Sequence, residues 1–339
     1  MSLTCAHLAA LILCCLITVV PARKTDLFPI VVNSRVGYID LRGRLVVTPQ
    51  FDHAWKFSDG LACVTVRGQT GFIDTNGKMV IHPQFKSSYG CYDEFHEGLS
   101  AVSLEEQLTV KGKRVKKIKW GFVDKVGKLT IVPGATFLSD LREGLAFFHK
   151  GGLTGYIDRD LKVVIKPQFK SAGNFYFGRA RATGLDGKEF YVDKLGNPLF
   201  ENRDGGEFQD SRAFFKVKGK YGFIDLTGHV IIEAQFDGAD HFGEGLAGVK
   251  IGAKWGFVDG RGVVMITPRF DSVGVFSEGL VSIELNGKWG FANKKGEIVV
   301  PPQFDKWTYY FEKGLCAVRL DGKMGYIDHT GNFVWPLTG

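Results

Sequence analysis

One four-residue pattern recurs nine times along the 339-residue chain, and this periodicity is the strongest constraint on the fold. The steps between successive copies are 34, 50, 34, 35, 32, 34, 34 and 35 residues. The copies are Gly37-Tyr-Ile-Asp40, Gly71-Phe-Ile-Asp74, Gly121-Phe-Val-Asp124, Gly155-Tyr-Ile-Asp158, Phe190-Tyr-Val-Asp193, Gly222-Phe-Ile-Asp225, Gly256-Phe-Val-Asp259, Gly290-Phe-Ala-Asn293 and Gly325-Tyr-Ile-Asp328. A fixed period of this length indicates stacked units, so we expect one array instead of separate domains.

The residues after each pattern predict a tight reversal of the chain. In Asp74-Thr-Asn-Gly77 the carboxylate can accept hydrogen bonds from the turn amides, and Gly77 supplies a residue with positive φ. A β-branched strand follows, as in Met79-Val-Ile81, and Pro83 ends its pairing because proline has no amide donor. Each unit therefore contains a hairpin closed by an Asp-x-x-Gly turn.

An aromatic linker then leads to a third strand. Its first aromatic is Phe51, Phe85, Phe169, Phe236, Phe270 or Phe304, and its second is Phe57, Phe95, Phe242, Phe276 or Phe311. We expect these rings to be buried plugs between units. The linker ends with Glu-Gly-Leu or a variant of it, and the Asn286-Gly287 dipeptide shows how the third strand returns to the next pattern. Unit five has lost its glycines and should be the most irregular.

These elements predict an all-β fold, which the 44 Gly and 28 Phe residues favour. We expect about nine three-stranded antiparallel β-meanders in an open superhelical, solenoid-like array, with a closed β-propeller-like ring as the alternative. Nine units exceed the usual four to eight blades, and both chain ends show the same order of strands. The predicted units lie near 27–59, 60–97, 98–143, 144–177, 178–211, 212–244, 245–278, 279–313 and 314–339.

The amino terminus predicts export. Residues Leu8 to Val20 form a 13-residue apolar run followed by Pro21 and Ala22, which is typical of a signal peptide over residues 1–22. The run is too short for a spanning helix, so no integral membrane span is expected after cleavage. The expected location is periplasmic, cell-surface or secreted. The alternative is an uncleaved anchor.

Three cysteines remain after residue 22, and they are widely spaced: Cys63, Cys91 and Cys316. Their odd number predicts no disulfide framework, and each is interpreted as a small buried residue.

Three units carry a sequence signature beyond the shared pattern: Lys119-Trp-Gly-Phe-Val-Asp, Lys254-Trp-Gly-Phe-Val-Asp and Lys288-Trp-Gly-Phe-Ala-Asn. With the downstream Gly, Pro-x-Phe and Glu-Gly-Leu elements, they resemble the WG repeat, also called the KWG repeat, over residues 27 to 337. The resemblance implies a bacterial-type β-rich module of variable copy number, and it supplies no catalytic residues. Tyr221, Met324, Val36 and Thr70 replace the Trp in other units, which favours a packing role for it.

No catalytic motif accompanies the repeat: HExxH, Walker, GxSxG and EF-hand patterns are absent from the sequence. The eight His residues fall at scattered unit positions, so no shared metal site or cofactor is expected. The recurring Asp of the turn is interpreted as a cap, and Glu97, Glu143, Glu244 and Glu278 as turn residues rather than paired glycosidase acids.

One segment has no counterpart in the other units. The 50-residue step contains a longer hairpin, in which Lys111, Lys113, Arg114, Lys116, Lys117 and Lys119 place six cations within nine residues. Such a cluster can bind a polyanion by releasing its counterions, and it can equally protect an exposed strand edge from aggregation. The candidate polyanion-binding residues are Lys111, Lys113, Arg114, Lys116 and Lys117.

The sequence thus predicts an exported, non-enzymatic scaffold without cofactors that binds a protein, a peptide or a cell-envelope glycan. Nucleic acid is not the expected partner. Two alternatives stay open: a polyanion binder acting through residues 111–119, and a hydrolase built from non-repeated residues such as His96 and Asp93.

Overall fold

The computed structural model describes residues 26–86, 94–110, 113–201, 204–305 and 310–339, and all regular elements in these ranges are β-strands. The strands form nine antiparallel sheets, each a meander of consecutive strands, which we call blades 1 to 9 in chain order. Blade 1 contains β1 (Leu27–Val32), β2 (Arg35–Asp40) and β3 (Leu45–Phe51). Blade 2 contains β4 (His53–Ala54), β5 (Leu61–Val66), β6 (Gln69–Asp74) and β7 (Met79–Lys86). Blade 3 contains β8 (Leu99–Val110), β9 (Lys113–Asp124) and β10 (Leu129–Ile131).

The next three blades repeat this plan. Blade 4 contains β11 (Phe137–Leu138), β12 (Leu145–Lys150), β13 (Leu153–Asp158) and β14 (Val163–Phe169). Blade 5 contains β15 (Ser171–Ala172), β16 (Ala180–Thr183), β17 (Glu189–Val192) and β18 (Pro198–Glu201). Blade 6 contains β19 (Arg212–Val217), β20 (Lys220–Asp225) and β21 (Val230–Phe236). The long strands of blade 5 have four residues each, so the expected irregularity of unit five is confirmed.

The last three blades complete the array. Blade 7 contains β22 (Gly238–Gly243), β23 (Leu246–Ile251), β24 (Lys254–Asp259) and β25 (Val264–Phe270). Blade 8 contains β26 (Ser272–Val273), β27 (Leu280–Leu285), β28 (Lys288–Asn293) and β29 (Ile298–Phe304). Blade 9 contains β30 (Cys316–Leu320), β31 (Lys323–Ile327) and β32 (Phe333–Thr338).

The glycine that opens the repeated pattern is required by a β-bulge. The pairing of β6 with β7 shifts register between Thr70 and Phe72, which brings the two backbones unusually close at Gly71. A Cβ atom on Gly71 would lie 2.5 Å from the carbonyl oxygen of Ile81. Only glycine fits this approach, so the bulge explains why the position recurs.

The blades form a closed nine-bladed β-propeller, and the expectation of an open superhelix is wrong. Nine sheets in an open row have eight interfaces, but the described residues form nine hydrophobic clusters between neighbouring blades. The ninth cluster joins the two ends, because Phe28 and Ile30 of β1 pack against Tyr326 of β31. The side-chain hydroxyl of Tyr326 also donates a hydrogen bond of 2.8 Å to the Pro29 carbonyl. The ring therefore closes with nine blades that are each formed by consecutive strands, and no blade combines strands from both termini.

The prediction of three strands per unit is wrong for five blades. In blades 2, 4, 5, 7 and 8 the linker contributes a fourth strand, β4, β11, β15, β22 or β26, that pairs with the first long strand. Each linker thus belongs to the blade that follows it. The expectation that proline ends the pairing is also wrong: β7 continues through Pro83, and Phe85 still pairs with Thr70 of β6. Pro83 lies at the bulge opposite Gly71, where a missing amide donor is tolerated.

The amino-terminal segment and the cysteines complete the description. The predicted signal peptide, residues 1–22, and Cys91 lie outside the described residues. Within the described ranges, no helix is long and apolar enough to span a membrane. Cys63 is buried, as expected, but it is disulfide-bonded, so the prediction that these cysteines form no disulfide framework is wrong for Cys63. Cys316 is a buried free thiol, as expected.

Candidate functional site

The recurring Asp or Asn caps its turn in all nine units, as predicted. In blade 2, Asp74 Oδ1 accepts hydrogen bonds from the amides of Asn76 and Lys78, both at 2.9 Å. Partial burial of Asp74 opposes ionisation, but these hydrogen bonds hold its pKa below the usual value. The same pair of amide contacts is made by Asp40, Asp124, Asp158, Asp193, Asp225, Asp259, Asn293 and Asp328. These side chains therefore stabilise turns of the fold.

The acid before Gly-Leu is a turn residue, as predicted, but it also joins neighbouring blades. Its backbone has positive φ, for example 52° at Glu143. Its carboxylate accepts a hydrogen bond of 2.8–3.1 Å from the glycine amide at the equivalent turn of the next blade. The donor and acceptor pairs are Gly98 and Asp59, Gly144 and Glu97, Gly178 and Glu143, Gly245 and Asp210, Gly279 and Glu244, and Gly314 and Glu278. We call this contact the acid latch.

A cation from the Asp-x-x-Gly turn of the next blade accompanies several latches. Lys194 lies 3.2 Å from Glu143, and Lys294 lies 3.0 Å from Glu244. Burial opposes ionisation of Glu143, yet the Gly178 hydrogen bond and the Lys194 charge hold its pKa below the usual value. The latch acids thus form hydrogen bonds at separate interfaces, instead of converging on one cavity.

The linker aromatics are buried plugs, as predicted. Each packs edge-on against the aromatic ring of the preceding blade's Gly-Phe-Ile-Asp pattern, with centroids 4.8–5.1 Å apart. The pairs are Tyr38 and Phe57, Phe72 and Phe95, Tyr156 and Phe175, Tyr191 and Phe208, Phe223 and Phe242, Phe257 and Phe276, and Phe291 and Phe311. This edge-to-face geometry is favourable for aromatic rings, so it aligns successive blades.

The positions on either side of the plug do not repeat, and they hold the candidate site. Blade 2 has Lys56 before its plug. Blade 3 has charged or titratable residues on both sides of its plug, and blade 4 has them on both sides of buried Leu141, which takes the plug position there. Blade 9 has one after its plug. These residues are Lys56, Glu94, His96, Asp140, Arg142 and Glu312, which we call the linker cluster. Glu207 of blade 6 and His241 of blade 7 also flank plugs, whereas Val275 and Ser277 of blade 8 carry no charge.

The closed ring brings these residues together from distant parts of the chain. Lys56 Nζ lies 3.4 Å from Glu312 Oε2 across 256 residues of sequence. Blade 1 separates their two blades but has no linker strand in the described ranges, which leaves the two side chains free to meet. His96 Nε2 lies 2.9 Å from Arg142 Nη2 and 3.5 Å from Glu94 Oε2. Because non-adjacent blades approach each other only towards the ring axis, the linker cluster lies on the inner side of the ring.

Burial and mutual charge shift the ionisation of this cluster. Burial raises the pKa of Asp140 to about 7, and nearby Glu94 adds to the rise, although Ala101 donates a backbone hydrogen bond and Arg142 is close. Burial also raises the pKa of Glu94, against the charges of Lys56 and Arg142. Burial and the Arg142 charge lower the pKa of His96. Neutral His96 can therefore accept a hydrogen bond from Arg142 at neutral pH.

The cluster can bind a ligand by charge and hydrogen bonding. The Arg142 Nε atom is buried and has no hydrogen-bond partner among the described residues. The nearby Ser58 hydroxyl donates to the Phe95 carbonyl at 2.6 Å. Among the described residues, no group of three or more His, Cys, Asp or Glu side chains is arranged to hold a metal ion. The cluster offers cationic donors beside carboxyl groups that are easily protonated.

Sequence reasoning named His96 but missed the rest of the linker cluster, and Asp93 lies outside the described residues. A signal was present in the sequence: the plug recurs while its two flanking positions change from unit to unit. In a repeat, such variation marks positions that packing does not dictate. Asp210 was also missed as a latch acid because Ser211 replaces the following glycine.

The predicted basic hairpin is formed by β8 and β9, which pair over twelve residues each. Lys116 lies 2.8 Å from Glu105 and Lys119 lies 2.7 Å from Glu106. Lys113, Arg114 and Lys117 are exposed and form no ion pair within the described ranges, and Lys111 lies outside them. The hairpin is thus separate from the linker cluster, and part of its charge is neutralised near the base.

Comparison with known families identifies the repeat. The sequence pattern of the WG containing repeat matches residues 37–69, 71–106, 155–188, 221–255, 255–289 and 289–323, more than half of the chain. The chain belongs to the WG repeat family. Its Trp289 is buried in the core between blades 8 and 9, which agrees with a packing role for the tryptophan in this unit of the WG repeat.

Solved structures similar to this WG repeat protein have low sequence identity. BamB from Moraxella catarrhalis is 10% identical with a TM-score of 0.44, covering 80% of this chain and 94% of that chain. The C-terminal WD40 domain of Sif2 is 13% identical with a TM-score of 0.38, covering 69% and 78%. No curated protein sequence matches the chain.

Proposed function

We propose that this WG repeat propeller is an exported, non-enzymatic scaffold that binds a protein, a peptide or a cell-envelope glycan through its linker cluster. One observation carries the proposal: the recurrent acidic residues serve as turn caps and latches, whereas non-repeated charged residues gather on the inner side of the ring. Repeat scaffolds bind through variable positions on a constant framework.

The arrangement of the linker cluster suits a polar ligand. Arg142 and Lys56 supply fixed positive charge, and Glu312 supplies negative charge. Asp140 can donate or accept a hydrogen bond, because its pKa of about 7 lies near physiological pH. A ligand with both acidic and hydrogen-bonding groups would therefore find complementary partners.

The disulfide at Cys63 supports export. Disulfides persist in oxidising compartments and are rare in the cytosol, where thiols are kept reduced. Together with the apolar run from Leu8 to Val20, it favours a location outside the cytoplasm. Amino-terminal sequencing of the native protein should give Arg23 as the first residue. Peptide mapping without reductant should show Cys63 in a disulfide-linked peptide.

Binding is tested by affinity capture from an envelope extract, followed by calorimetry with the captured ligand. We expect the double variant Lys56→Gln, Arg142→Gln to bind at least about tenfold more weakly, since each change removes a charged hydrogen bond. The control is Lys166→Gln, Arg261→Gln, which removes two exposed cations away from the cluster. Equal binding by wild type and the cluster variant would refute the proposed site. Turnover of an envelope substrate that is lost in Asp140→Asn or His96→Gln would refute a non-enzymatic role.

A further inference from the structure

The paired strands β8 and β9 extend well beyond the rest of the ring. The corresponding strands of blade 7, β23 and β24, have six residues each, whereas β8 and β9 have twelve. Six additional residue pairs lengthen a hairpin by about 20 Å. We call the projecting part, residues 105–110 and 113–118, the blade 3 arm.

The charge on the blade 3 arm is unevenly paired. Near its base, Glu105 contacts both Lys86 and Lys116, and Glu106 contacts Lys119. Lys113 and Arg114 near the tip, and Lys117 opposite Glu106 nearer the base, are exposed and have no ionic partner in the described part of the chain. The arm thus presents a net positive tip held away from the ring surface.

The positive side chains occupy both faces of the arm. Lys113 and Lys117 share one face because side chains alternate along a strand, and they lie about 13 Å apart. Arg114 lies on the opposite face. The exposed apolar residues are divided in the same way, with Val115, 45% exposed, on the first face and Ile118, 39% exposed, on the second. A flat lipid surface can meet one face only, whereas a flexible linear polymer can contact both.

We propose that the blade 3 arm binds a linear polyanion that carries phosphate or sulfate groups. Binding would release counterions condensed on the polymer, which makes it strongly salt-dependent. The three unpaired cations supply the contacts, and the arm's length keeps the bound polymer clear of the neighbouring blades. This inference does not depend on the linker cluster, so either site can fail without affecting the other.

The test measures binding of the protein to heparin and to inorganic polyphosphate between 50 and 300 mM salt, over which the electrostatic screening length falls about 2.5-fold. We expect the triple variant Lys113→Gln, Arg114→Gln, Lys117→Gln to bind about tenfold or more weakly at 0.1 M salt. The slope of log affinity against log salt should fall by about 2, the loss expected for three fewer neutralised charges. The control variant Lys162→Gln, Lys166→Gln, Lys170→Gln removes the same charge from blade 4 and from the residue that follows β14. It should leave the affinity and the salt slope unchanged.

The outcomes separate the proposal from simpler explanations. Equal losses in both triple variants would overturn it, because net charge alone would then control retention. Binding to vesicles of anionic phospholipid that is lost in Val115→Ser, Ile118→Ser, with no change on heparin or polyphosphate, would replace it with a membrane site. Circular dichroism and thermal unfolding of each variant verify that the ring is intact. The substituted residues are exposed, so each variant should fold as the wild type does.

Discussion

The interface between blades 7 and 8 and the interface that closes the ring between blades 9 and 1 use different contacts for the same purpose. Between blades 7 and 8, Phe276 packs against Phe257 at 4.9 Å, and Glu244 accepts a hydrogen bond from Gly279. Between blades 9 and 1, Phe28 takes the place of the plug and packs against Tyr326 at 5.5 Å. The acid latch is replaced by a 2.9 Å ion pair between Lys313 and Asp26.

This difference shows that closure requires matching surfaces and not an identical interface. Blade 1 has no linker strand in the described ranges, so Tyr326 donates directly to the carbonyl of Pro29 in β1. In blade 2 the equivalent carbonyl, that of Cys63, is bound by the amide of Trp55 in the linker. The closing interface thus lacks the contacts that a linker strand would add, and we expect it to be the weakest interface in the ring.

Removing a plug should give the largest effect. We expect Phe276→Ala to lower the free energy of unfolding by about 4 kcal/mol, because the ring is buried and leaves a cavity. Phe28→Ala should cost about 2 kcal/mol, since Phe28 is more exposed than Phe276, at 9% against 3%. Urea titration monitored by circular dichroism measures both, with Leu199→Ala at an exposed position as the control. A loss for Phe28→Ala that equals or exceeds that for Phe276→Ala would show that the closing interface is not weaker.

Asp140 should make stability depend on pH. Its folded-state pKa of about 7 is far above the value near 4 of an unfolded aspartate, so the folded state retains a proton that the unfolded state loses. Stability from this group is complete below about pH 4 and is lost as pH rises to about 7.

Asp140→Asn should therefore unfold at the same urea concentration as wild type at pH 4. At pH 8 it should be about 2 kcal/mol more stable, less than the full shift implies because the side chain is partly exposed. Asp240→Asn, in the linker of blade 7, is the control. A difference between Asp140→Asn and wild type that is independent of pH would contradict the assigned ionisation.

Removing the closing hydroxyl should have the smallest effect of the three. Tyr326→Phe leaves the Pro29 carbonyl without its donor and should cost about 1 kcal/mol. Tyr156→Phe removes the equivalent 2.7 Å bond to Gly173 inside the ring and should cost a similar amount. If thermal unfolding shows a loss at Tyr326 several times that at Tyr156, the hydroxyl is essential for closure. If it shows no loss at either position, these hydrogen bonds are not stabilising.

Much of this fold follows from local chemistry that the sequence displays. The Asp-x-x-Gly turns, the hairpins and the buried plugs were all predictable, because each depends on residues close together in the chain. Closure was not predictable in this way. It depends on a small rotation between blades that must add up to a full turn, and no single residue encodes that sum.

The linker cluster was hidden for a related reason. Lys56 and Glu312 are 256 residues apart, and their proximity follows only from ring closure. A search for recurring residues also discards positions that vary, although here those positions flank the plug in every unit. His96 drew notice as a titratable residue, but its neighbours Arg142 and Asp140 belong to the next blade.

The acid latch gives the ring a direction. Each latched blade presents a carboxylate to the following blade and an amide to the preceding one, as Glu244 and Gly279 show. A duplicated unit inserted between two such neighbours would find both of its partners already in place. Gene duplication can therefore enlarge or shrink an array of this kind by whole units, with no compensating change elsewhere, provided that the resulting circle still meets end to end.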